Sequence, residues 1–401
     1  MPPTTKQSDL TKVKISPRGV ARLKSGHVWV YRSDLLSSDD IAAGALVSVT
    51  DQRGKFMGTA LYSSSSQIAI RVVSHEPIAD LSALIRRRID EAIAYRKIFV
   101  RDTDAYRLVF SEADFLPGLI VDRYNDILSL QILTQAIDAN PVRETVISHL
   151  NQQLNPASVI ERIDPRVREL ESLPARASSL LTGDKTATTV TMNGVQFHFD
   201  ALEGQKTGSF LDQRENYAAA AQYAHGEALD VFCYQGGFAL HLAPRCSQVT
   251  GVDSSRPALE VADQNAALNQ KLLGGNEIEW IEANAFDLLK DYSSSDHRYD
   301  TIILDPPAFA KSKRDLDAAL RGYKELNLRA LKMLRPGGIL VTCSCSYHVG
   351  EADFLNMLAA AAIDAHRSLR LIEIRRQAKD HPILLTVPET AYLKCVIASV
   401  S

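Results

Sequence analysis

The feature that most constrains the fold is a regular alternation of hydrophobic runs and amphipathic segments from about Val195 to the end of the chain. Short aliphatic runs predict strands, apolar residues at helical spacing predict the helices between them, and Pro336-Gly337-Gly338 is predicted to stop the last long helix. This βα alternation predicts an α/β fold with a mostly parallel, doubly wound sheet. The predicted strands are Ala228–Cys233, Gln248–Val252, Ile278–Ile281, Thr301–Leu304 and Ile339–Cys343, with late strands near Leu371–Ile374 and Tyr392–Val400.

The first predicted strand leads into a glycine turn, Leu229–Phe238, which reads LDVFCYQGGF and contains Asp230, Phe232 and Gly236. Ligands of open parallel sheets bind outside the carboxyl ends of the strands, and glycine lets the backbone approach a ligand closely. The segment is neither GxGxxG nor GxxxxGK[ST], which makes a dinucleotide or a nucleoside triphosphate a less favoured ligand. An ordinary βα turn is the alternative interpretation.

The next two strands end in polar residues. Asp253 ends the second strand, where a carboxylate can accept hydrogen bonds from both ribose hydroxyls. It could instead cap the following helix, unless Ser254-Ser255 provides the cap. Asn284, followed by Ala285, lies where the third strand ends and could contact an adenine amino group, with Phe286 or a neighbour packing on the ring. Asparagine is also common in turns, so an ordinary turn residue is the alternative interpretation.

The fourth predicted strand is followed by Asp305-Pro306-Pro307. Two prolines continue neither a ladder nor a helix readily, so they predict a rigid, exposed turn. The Asp305 carboxylate could contact a ring nitrogen or an exocyclic amine of a base there, and a simple loop-forming Asp-Pro is the alternative.

Taken together, Asp230–Phe238, Asp253, Asn284 and Asp305–Phe309 resemble successive motifs of class I methyltransferases. The resemblance implies S-adenosylmethionine as the cofactor. Asn284 stands where an aspartate is common in that class, although its amide oxygen can still accept a hydrogen bond.

A cysteine pair, Cys343 and Cys345, follows the fifth predicted strand. A thiol at a strand's carboxyl end near the cofactor can act as a nucleophile, and its addition to carbon 6 of a pyrimidine lets carbon 5 attack a methyl group. Cys345 lies farther past the strand end and is the predicted nucleophile, while Cys343 is predicted to pack within the strand. Two inert buried cysteines are the alternative.

The 401 residues predict more than one domain. Residues 1–73, with short strands and glycine turns, predict a small β-rich domain, and residues 74–190 an α+β linking domain. The linking domain is predicted to contain a helix capped by Asp80, a helix at Val142–Leu154 and a linker or loop at Ser172–Thr189. Residues 191–401 form the predicted catalytic domain.

Composition narrows the class of protein. Five cysteines without paired CxxC motifs predict neither a disulfide framework nor a structural zinc site, so no metal is predicted. No apolar run is long enough to span a membrane and the N-terminus lacks a signal-peptide pattern, which predicts a cytoplasmic protein with no membrane partner. Net charge is −3, yet Met1–Arg32 carries seven Lys/Arg against one acid, either a phosphate-binding patch or a solvated face.

The whole chain, from about Val13 to Ile397, resembles the RlmI/RlmK-like family of 23S ribosomal RNA methyltransferases. Five segments carry the resemblance, namely the PUA-like Lys24–Tyr31, the linking-domain segment Gly118–Arg123, Gly204–Arg214 before the first methyltransferase strand, Asp305–Lys313 reading DPPAFAKSK, and Ser344-Cys345-Ser346 of the 5-methylcytosine members. The resemblance implies a PUA domain before a Rossmann-like methyltransferase domain, and cofactor-binding roles for Phe210 and Arg214.

The same resemblance implies 23S ribosomal RNA as the substrate and cytosine carbon 5 as the target. Guanine N7 and uracil carbon 5 remain alternatives, as do a protein or small-molecule substrate with structural cysteines and a non-catalytic RNA-binding protein that has kept the fold. The basic N-terminal segment and Arg86-Arg87-Arg88 are expected to contact RNA phosphates, or else to be exposed faces. No cysteine follows the prolines of the DPP turn, so the chain lacks the second cysteine that many RNA cytosine methyltransferases use for product release. The base that removes the carbon-5 proton is therefore unassigned. A homodimer is left open.

Overall fold

The computed structural model describes residues 10–37, 40–78, 80–202, 210–310 and 312–401, without the side chain of Lys313. Three predicted features lie partly outside these residues: Lys6 and Asp9 of the basic segment, Gly204–Ser209 of the segment that ends at Arg214, and Lys311 of DPPAFAKSK. The chain divides into two compact units. Unit 1 comprises Met1–Thr188, Phe199–Ser209 and Lys379–Thr390, and unit 2 comprises Thr189–His198, Phe210–Ala378 and Ala391–Ser401.

Unit 1 contains ten strands in two sheets, with five helices, in the part of the chain that the structure describes. Its strands are β1 (Thr11–Lys14), β2 (Trp29–Tyr31), β3 (Leu46–Thr50), β4 (Phe56–Tyr62), β5 (Ile68–Ser74), β6 (Ala105–Phe110), β7 (Leu119–Tyr124), β8 (Ile127–Ile132), β9 (Ser158–Glu161) and β10 (Ser179–Gly183). Its helices are α1 (Pro17–Lys24), α2 (Leu81–Phe99), α3 (Gln135–Asp138), α4 (Val142–Leu154) and α5 (Pro165–Leu170). The sheets have the orders β1-β3-β4-β5-β2 and β10-β9-β8-β7-β6.

Local sequence explains most of these elements. The Asp80 carboxylate accepts the backbone N–H of Ala83 and caps α2 as predicted, and α4 has the predicted bounds. The linker prediction for Ser172–Thr189 is wrong, because this stretch contains β10 and the start of the next strand. β10 pairs with the buried β9, and this cross-strand pairing outweighs a composition rich in turn residues. β11 (Ala187–Met192) and β12 (Val195–Asp200) then form a two-stranded sheet.

Unit 2 contains the predicted βα alternation. Its strands are β13 (Glu227–Val231), β14 (Gln248–Asp253), β15 (Ile278–Glu282), β16 (Tyr299–Leu304), β17 (Leu334–Ser344), β18 (Leu369–Arg375) and β19 (Lys394–Val400). Its helices are α6 (Arg214–Tyr223), α7 (Gly237–Leu242), α8 (Arg256–Leu268), α9 (Gln270–Leu273), α10 (Ala285–Ser293), α11 (Leu316–Met333) and α12 (Glu351–Asp364).

The seven strands form one sheet in the order β15-β14-β13-β16-β17-β19-β18. β13 to β17 are parallel, and β19 is antiparallel to both β17 and β18. Successive residues Ala228 and Leu229 of β13 belong to different hydrophobic cores, one shared with α6 and α7 and the other with α10, α11 and α12. This doubly wound sheet confirms the predicted fold class.

Pro336-Gly337-Gly338 lies inside β17 and not at the end of a helix, because α11 already ends at Met333. In this part of β17 the register with β16 shifts between Tyr299 and Thr301.

Within the described part of the chain, no helix combines the length and apolar character needed to cross a membrane.

Candidate active site

Three acidic residues meet at the carboxyl ends of neighbouring strands in unit 2. Asp230 is the penultimate residue of β13, Asp253 is the last residue of β14, and Asp305 directly follows β16. Because β14 and β16 flank β13, the topology brings together the three acids that the sequence had placed at separate strand ends. Repulsion from Asp253 and Asp305 therefore acts on Asp230.

Asp230 is fully buried, and its Oδ2 accepts the backbone N–H of Ala239 in α7 at 2.9 Å. Its Oδ1 is buried without a hydrogen-bond partner. Burial, with Asp305 and Asp253 adding repulsion, raises the pKa of Asp230 to about 8, although the Ala239 amide acts in the opposite direction. At neutral pH this carboxyl is therefore mostly protonated, and a positively charged ligand at the acid cluster would favour its ionised form.

The turn after β13 has an unusual backbone. Phe232, Tyr234 and Gly236 adopt φ angles of 68°, 49° and 84°. Left-handed conformations in residues other than glycine cost on the order of 1 kcal/mol and cluster at ligand sites. The backbone N–H of Phe232 donates to the carbonyl of Val252 at 2.8 Å, which fixes the start of the turn against β14.

Asp253 is held by two backbone amides rather than used as a helix cap. Its Oδ2 accepts the N–H of Tyr234 at 3.0 Å and its Oδ1 accepts the N–H of Ser255 at 2.9 Å. Ser255 caps α8 by accepting the N–H of Ala258, which answers the alternative left open by the sequence. Each carboxylate oxygen keeps further acceptor capacity, so this half-buried side chain is oriented for a ligand with two hydroxyl groups.

Asn284 has a different use from the one predicted for its oxygen. It caps α10, and its Oδ1 accepts the N–H groups of Phe286 at 2.9 Å and Asp287 at 3.4 Å. A contact with adenine through this side chain would therefore come from its amide nitrogen. Ala285 is buried at the start of α10, while the Phe286 ring is 39% exposed and offers an apolar surface beside it.

The two positions taken from the family resemblance lie before and at the start of α6. The Phe210 and Tyr234 rings pack in a T-shaped arrangement at a centroid distance of 5.2 Å, which places Phe210 beside the glycine turn. Arg214 is buried, its guanidinium lies 3.5 Å from Glu215, and its carbonyl accepts from the Asn193 side chain. The roles of both residues in cofactor binding stay predictions.

A chain of side-chain hydrogen bonds positions Asp305, and its middle members, Gln213 and Asn216, are buried. The sequence alone did not predict this chain of contacts. Arg375 donates to Asn216, the Asn216 amide donates to Gln213, and the Gln213 amide donates to Asp305 Oδ1 at 2.9 Å. Gln213 lay within the segment that resembles the family, so its position was visible, but the contact with Asp305 spans 92 residues. This chain of hydrogen bonds fixes one carboxylate oxygen of the DPP turn.

The two candidate thiols have different environments. Cys343 lies inside β17 with no exposed surface, opposite Cys395, and burial raises its pKa well above that of an ordinary thiol. Cys345 lies one residue past β17, is half-buried, and has its Sγ 4.0 Å from the carbonyl oxygen of Pro306. Since β16 and β17 are adjacent and parallel, this thiol and the DPP turn meet at one edge of the sheet.

The basic residues of the N-terminal segment Met1–Arg32 are only partly available to a ligand. Arg18 and Arg22 both pair with the buried Asp34, at 2.6 and 3.1 Å, and Arg32 donates to backbone carbonyls. The remaining described lysines of the segment are exposed, namely Lys12, Lys14 and Lys24.

Of the Arg86-Arg87-Arg88 triplet on α2, Arg86 and Arg87 are exposed. Arg88 donates to the carbonyl of Val73 and stacks over Phe115, so it is committed to the fold.

Comparisons with known proteins agree with this architecture. Residues 13–75 match the family model of a PUA-like domain, and residues 134–397 match that of an S-adenosylmethionine-dependent methyltransferase. The ribosomal RNA large subunit methyltransferase I of Shewanella denitrificans is 36% identical over 398 residues, which cover 97% of this chain and 99% of the relative. The protein of the same name from Yersinia pseudotuberculosis is 37% identical over 377 residues, covering 92% and 94%.

Solved structures share the fold. A candidate SAM-dependent methyltransferase from Streptococcus mutans has a TM-score of 0.81 at 18% identity, covering 97% of this chain and 100% of the other. A methyltransferase structure in complex with SAH has a TM-score of 0.83 at 19% identity, with the same coverage. The family matches carry the conclusion: the chain is an S-adenosylmethionine-dependent methyltransferase and belongs to the family of the ribosomal RNA large subunit methyltransferase I proteins.

Proposed function

We propose that this chain transfers the methyl group of S-adenosylmethionine to carbon 5 of a cytosine in 23S ribosomal RNA, with Cys345 as the nucleophile. The names of the relatives support the RNA substrate. The observation that carries the proposal is the half-buried thiol of Cys345 beside the DPP turn, next to the fully buried Cys343.

The chemistry of the strand ends supports the proposal that they bind the cofactor. Asp253 would hold the ribose hydroxyls, Phe210, Ala285 and the amide nitrogen of Asn284 would lie around the adenine, and the turn with Phe232 and Gly236 would support the rest of the molecule. The buried Oδ1 of Asp230 lacks a partner, and the three carboxyl groups complement a ligand with positive charge. Arg214, at the start of α6, would also contribute to binding the cofactor. When bound, the cofactor supplies an electrophilic methyl group.

The residues of the chain perform the remaining chemistry on the base. The Cys345 thiolate adds to carbon 6, which forms a C–S bond and makes carbon 5 nucleophilic. After carbon 5 has gained the methyl group, its proton leaves to a base, the C–S bond breaks and the thiolate is regenerated. Asp305, fixed by Gln213, would accept a hydrogen bond from the exocyclic amine and so distinguish cytosine from uracil.

The PUA-like residues would hold the RNA. The exposed Lys12, Lys14 and Lys24 are the basic side chains of this segment best placed for phosphate contacts, because Arg18 and Arg22 already pair with Asp34. A target base within a helix has to be extruded before it reaches Cys345.

The test measures methyl transfer from labelled S-adenosylmethionine to unmodified 23S ribosomal RNA, followed by nucleoside analysis. Wild type and Cys343→Ala should place the label in 5-methylcytidine, and Cys345→Ala should not. Cys343→Ala is the matched control because it removes a thiol two residues away. Label in a guanosine or uridine product, or full activity of Cys345→Ala, would refute the proposal.

A further inference from the structure

A buried lysine, Lys394, lies beside the proposed nucleophile and has no part in the proposed reaction steps. Lys394 is the first residue of β19, is only 5% exposed, and pairs across the sheet with Ser344 at the end of β17. Its Nζ donates to the carbonyl of Ser346 at 2.7 Å and to the carbonyl of Tyr392 at 2.8 Å. Ser346 directly follows Cys345, so the amine is anchored one residue from the thiol.

The two hydrogen bonds to carbonyls leave one position on the Lys394 nitrogen for a further interaction. An ammonium group has three N–H donors and a neutral amine has two N–H donors with a lone pair. The two carbonyls engage two N–H groups in either state. A third N–H, or the lone pair, therefore remains for a neighbour that can exchange a proton.

Cys345 lies between two residues that contact Lys394, since Ser344 pairs with Lys394 across the sheet and the Ser346 carbonyl accepts from its Nζ. Burial lowers the pKa of Lys394 to about 8, and Cys345 is the largest opposing influence, raising it. Arg376 lowers the pKa and Glu351 raises it, and because these two form an ion pair with each other at 2.7 Å, their effects partly cancel.

A further titratable group near Cys345 is Tyr323. Burial raises the pKa of its hydroxyl, which keeps the phenol neutral. That hydroxyl lies 2.9 Å from the Ser346 hydroxyl, so it fixes the chain after Cys345 without adding charge.

We propose that Lys394 is the positioning residue that holds Cys345 as a thiolate before the target base arrives. The inference rests on the proposed function, since it concerns the nucleophile assigned there. In the resting enzyme the S–H bond breaks and the third N–H bond of the ammonium forms, so one proton moves within the pair. Addition to carbon 6 uses the thiolate and elimination returns it, so the pair consumes no proton over the cycle.

The experiment follows the alkylation of Cys345 by iodoacetamide as a function of pH, with peptide mass spectrometry resolving Cys345 from the four buried cysteines. Lys394→Gln removes the charge but retains an amide that can donate to the carbonyls. We expect the midpoint of its alkylation profile to rise by about 1 pH unit or more relative to wild type, as expected for losing a neighbouring opposite charge. Lys394→Arg keeps the charge and should retain the low midpoint.

The control is Lys324→Gln, which removes a surface lysine paired with Asp364 and should leave the profile unchanged. A folded Lys394→Gln protein with the wild-type midpoint would refute the inference. If that variant does not fold, the wild-type midpoint is compared with that of the same thiol in the unfolded chain, and equality refutes the inference equally. Since alkylation needs neither RNA nor methyl transfer, a shifted midpoint with label in guanosine would overturn the proposed function alone.

Discussion

Asp253 offers the sharpest test of the cofactor site, because its carboxylate is oriented before any ligand binds. One backbone amide holds each oxygen, Tyr234 on Oδ2 and Ser255 on Oδ1, so Asp253→Asn preserves shape but replaces one acceptor with a donor. A hydrogen bond to a charged acceptor is worth about 1.5–3 kcal/mol. If the two ribose hydroxyls donate to this carboxylate, the variant loses at least one such bond, which is about 10- to 100-fold in affinity.

The assay is calorimetric titration of the protein with S-adenosylhomocysteine, for wild type and Asp253→Asn. Glu260→Gln is the matched control, since it removes an exposed carboxylate of α8 that pairs with Arg256. Thermal unfolding of both variants shows whether removing an acceptor for the backbone amides has disturbed the fold. An unchanged dissociation constant for folded Asp253→Asn would show that this carboxylate does not bind the ribose, and the assignment of the site would have to be abandoned.

Three further outcomes follow from the structure. Asp230 stays protonated up to about pH 8 in the native protein but ionises near pH 3.8 when unfolded, so native stability should fall as pH rises between these values. Asp230→Asn should therefore weaken the dependence of the melting temperature on pH, measured from pH 5 to 8 without cofactor. Gly237→Ala would place a Cβ 2.5 Å from the Tyr217 ring, so it should destabilise the protein by about 1–3 kcal/mol in denaturant unfolding, and an unaltered midpoint would contradict the packing. Replacing Lys12, Lys14 and Lys24 by Gln should weaken RNA binding and reduce its salt slope by about one for each phosphate that is no longer neutralised, whereas Lys290→Gln on α10 should not; an unchanged slope would remove these lysines from the interface.

The sequence predicts the catalytic unit well because its pattern is local. Each strand of the parallel sheet is a short apolar run, and α7, α8 and α10 each begin at a glycine or a side-chain cap, so β13 to β16 have nearly the predicted bounds. Asp253 and Asp305 are visible for the same reason, as polar residues that end such runs. The separation of Cys343 from Cys345 also follows from strand length, since only one of them lies within β17.

Features that depend on distant pairing could not be predicted in this way. The composition of the β10 segment predicts a linker, and only its pairing with β9 makes it a strand. Pro336-Gly337-Gly338 predicts a helix end, but this segment belongs to β17 at the point where its register with β16 shifts. Asn284 shows a different limit. The same oxygen can cap a helix or contact a ligand, and the backbone amides of α10 decide which use it has.

The strand order explains why Cys345, the proposed nucleophile, and Lys394 lie so far apart in the sequence. A purely parallel sheet would bring only residues that follow strands to the edge where Asp305 and Cys345 meet. β19 runs in the opposite direction, so its first residue, not its last, lies opposite the end of β17. This antiparallel return places Lys394, 49 positions after Cys345, at the same edge with its amine held by backbone carbonyls. A buried ammonium is unfavourable unless it interacts with an opposite charge, and a thiolate at Cys345 would provide one. If Cys345 is the nucleophile, the topology would therefore stabilise the thiolate of the cysteine and the ammonium form of the lysine together.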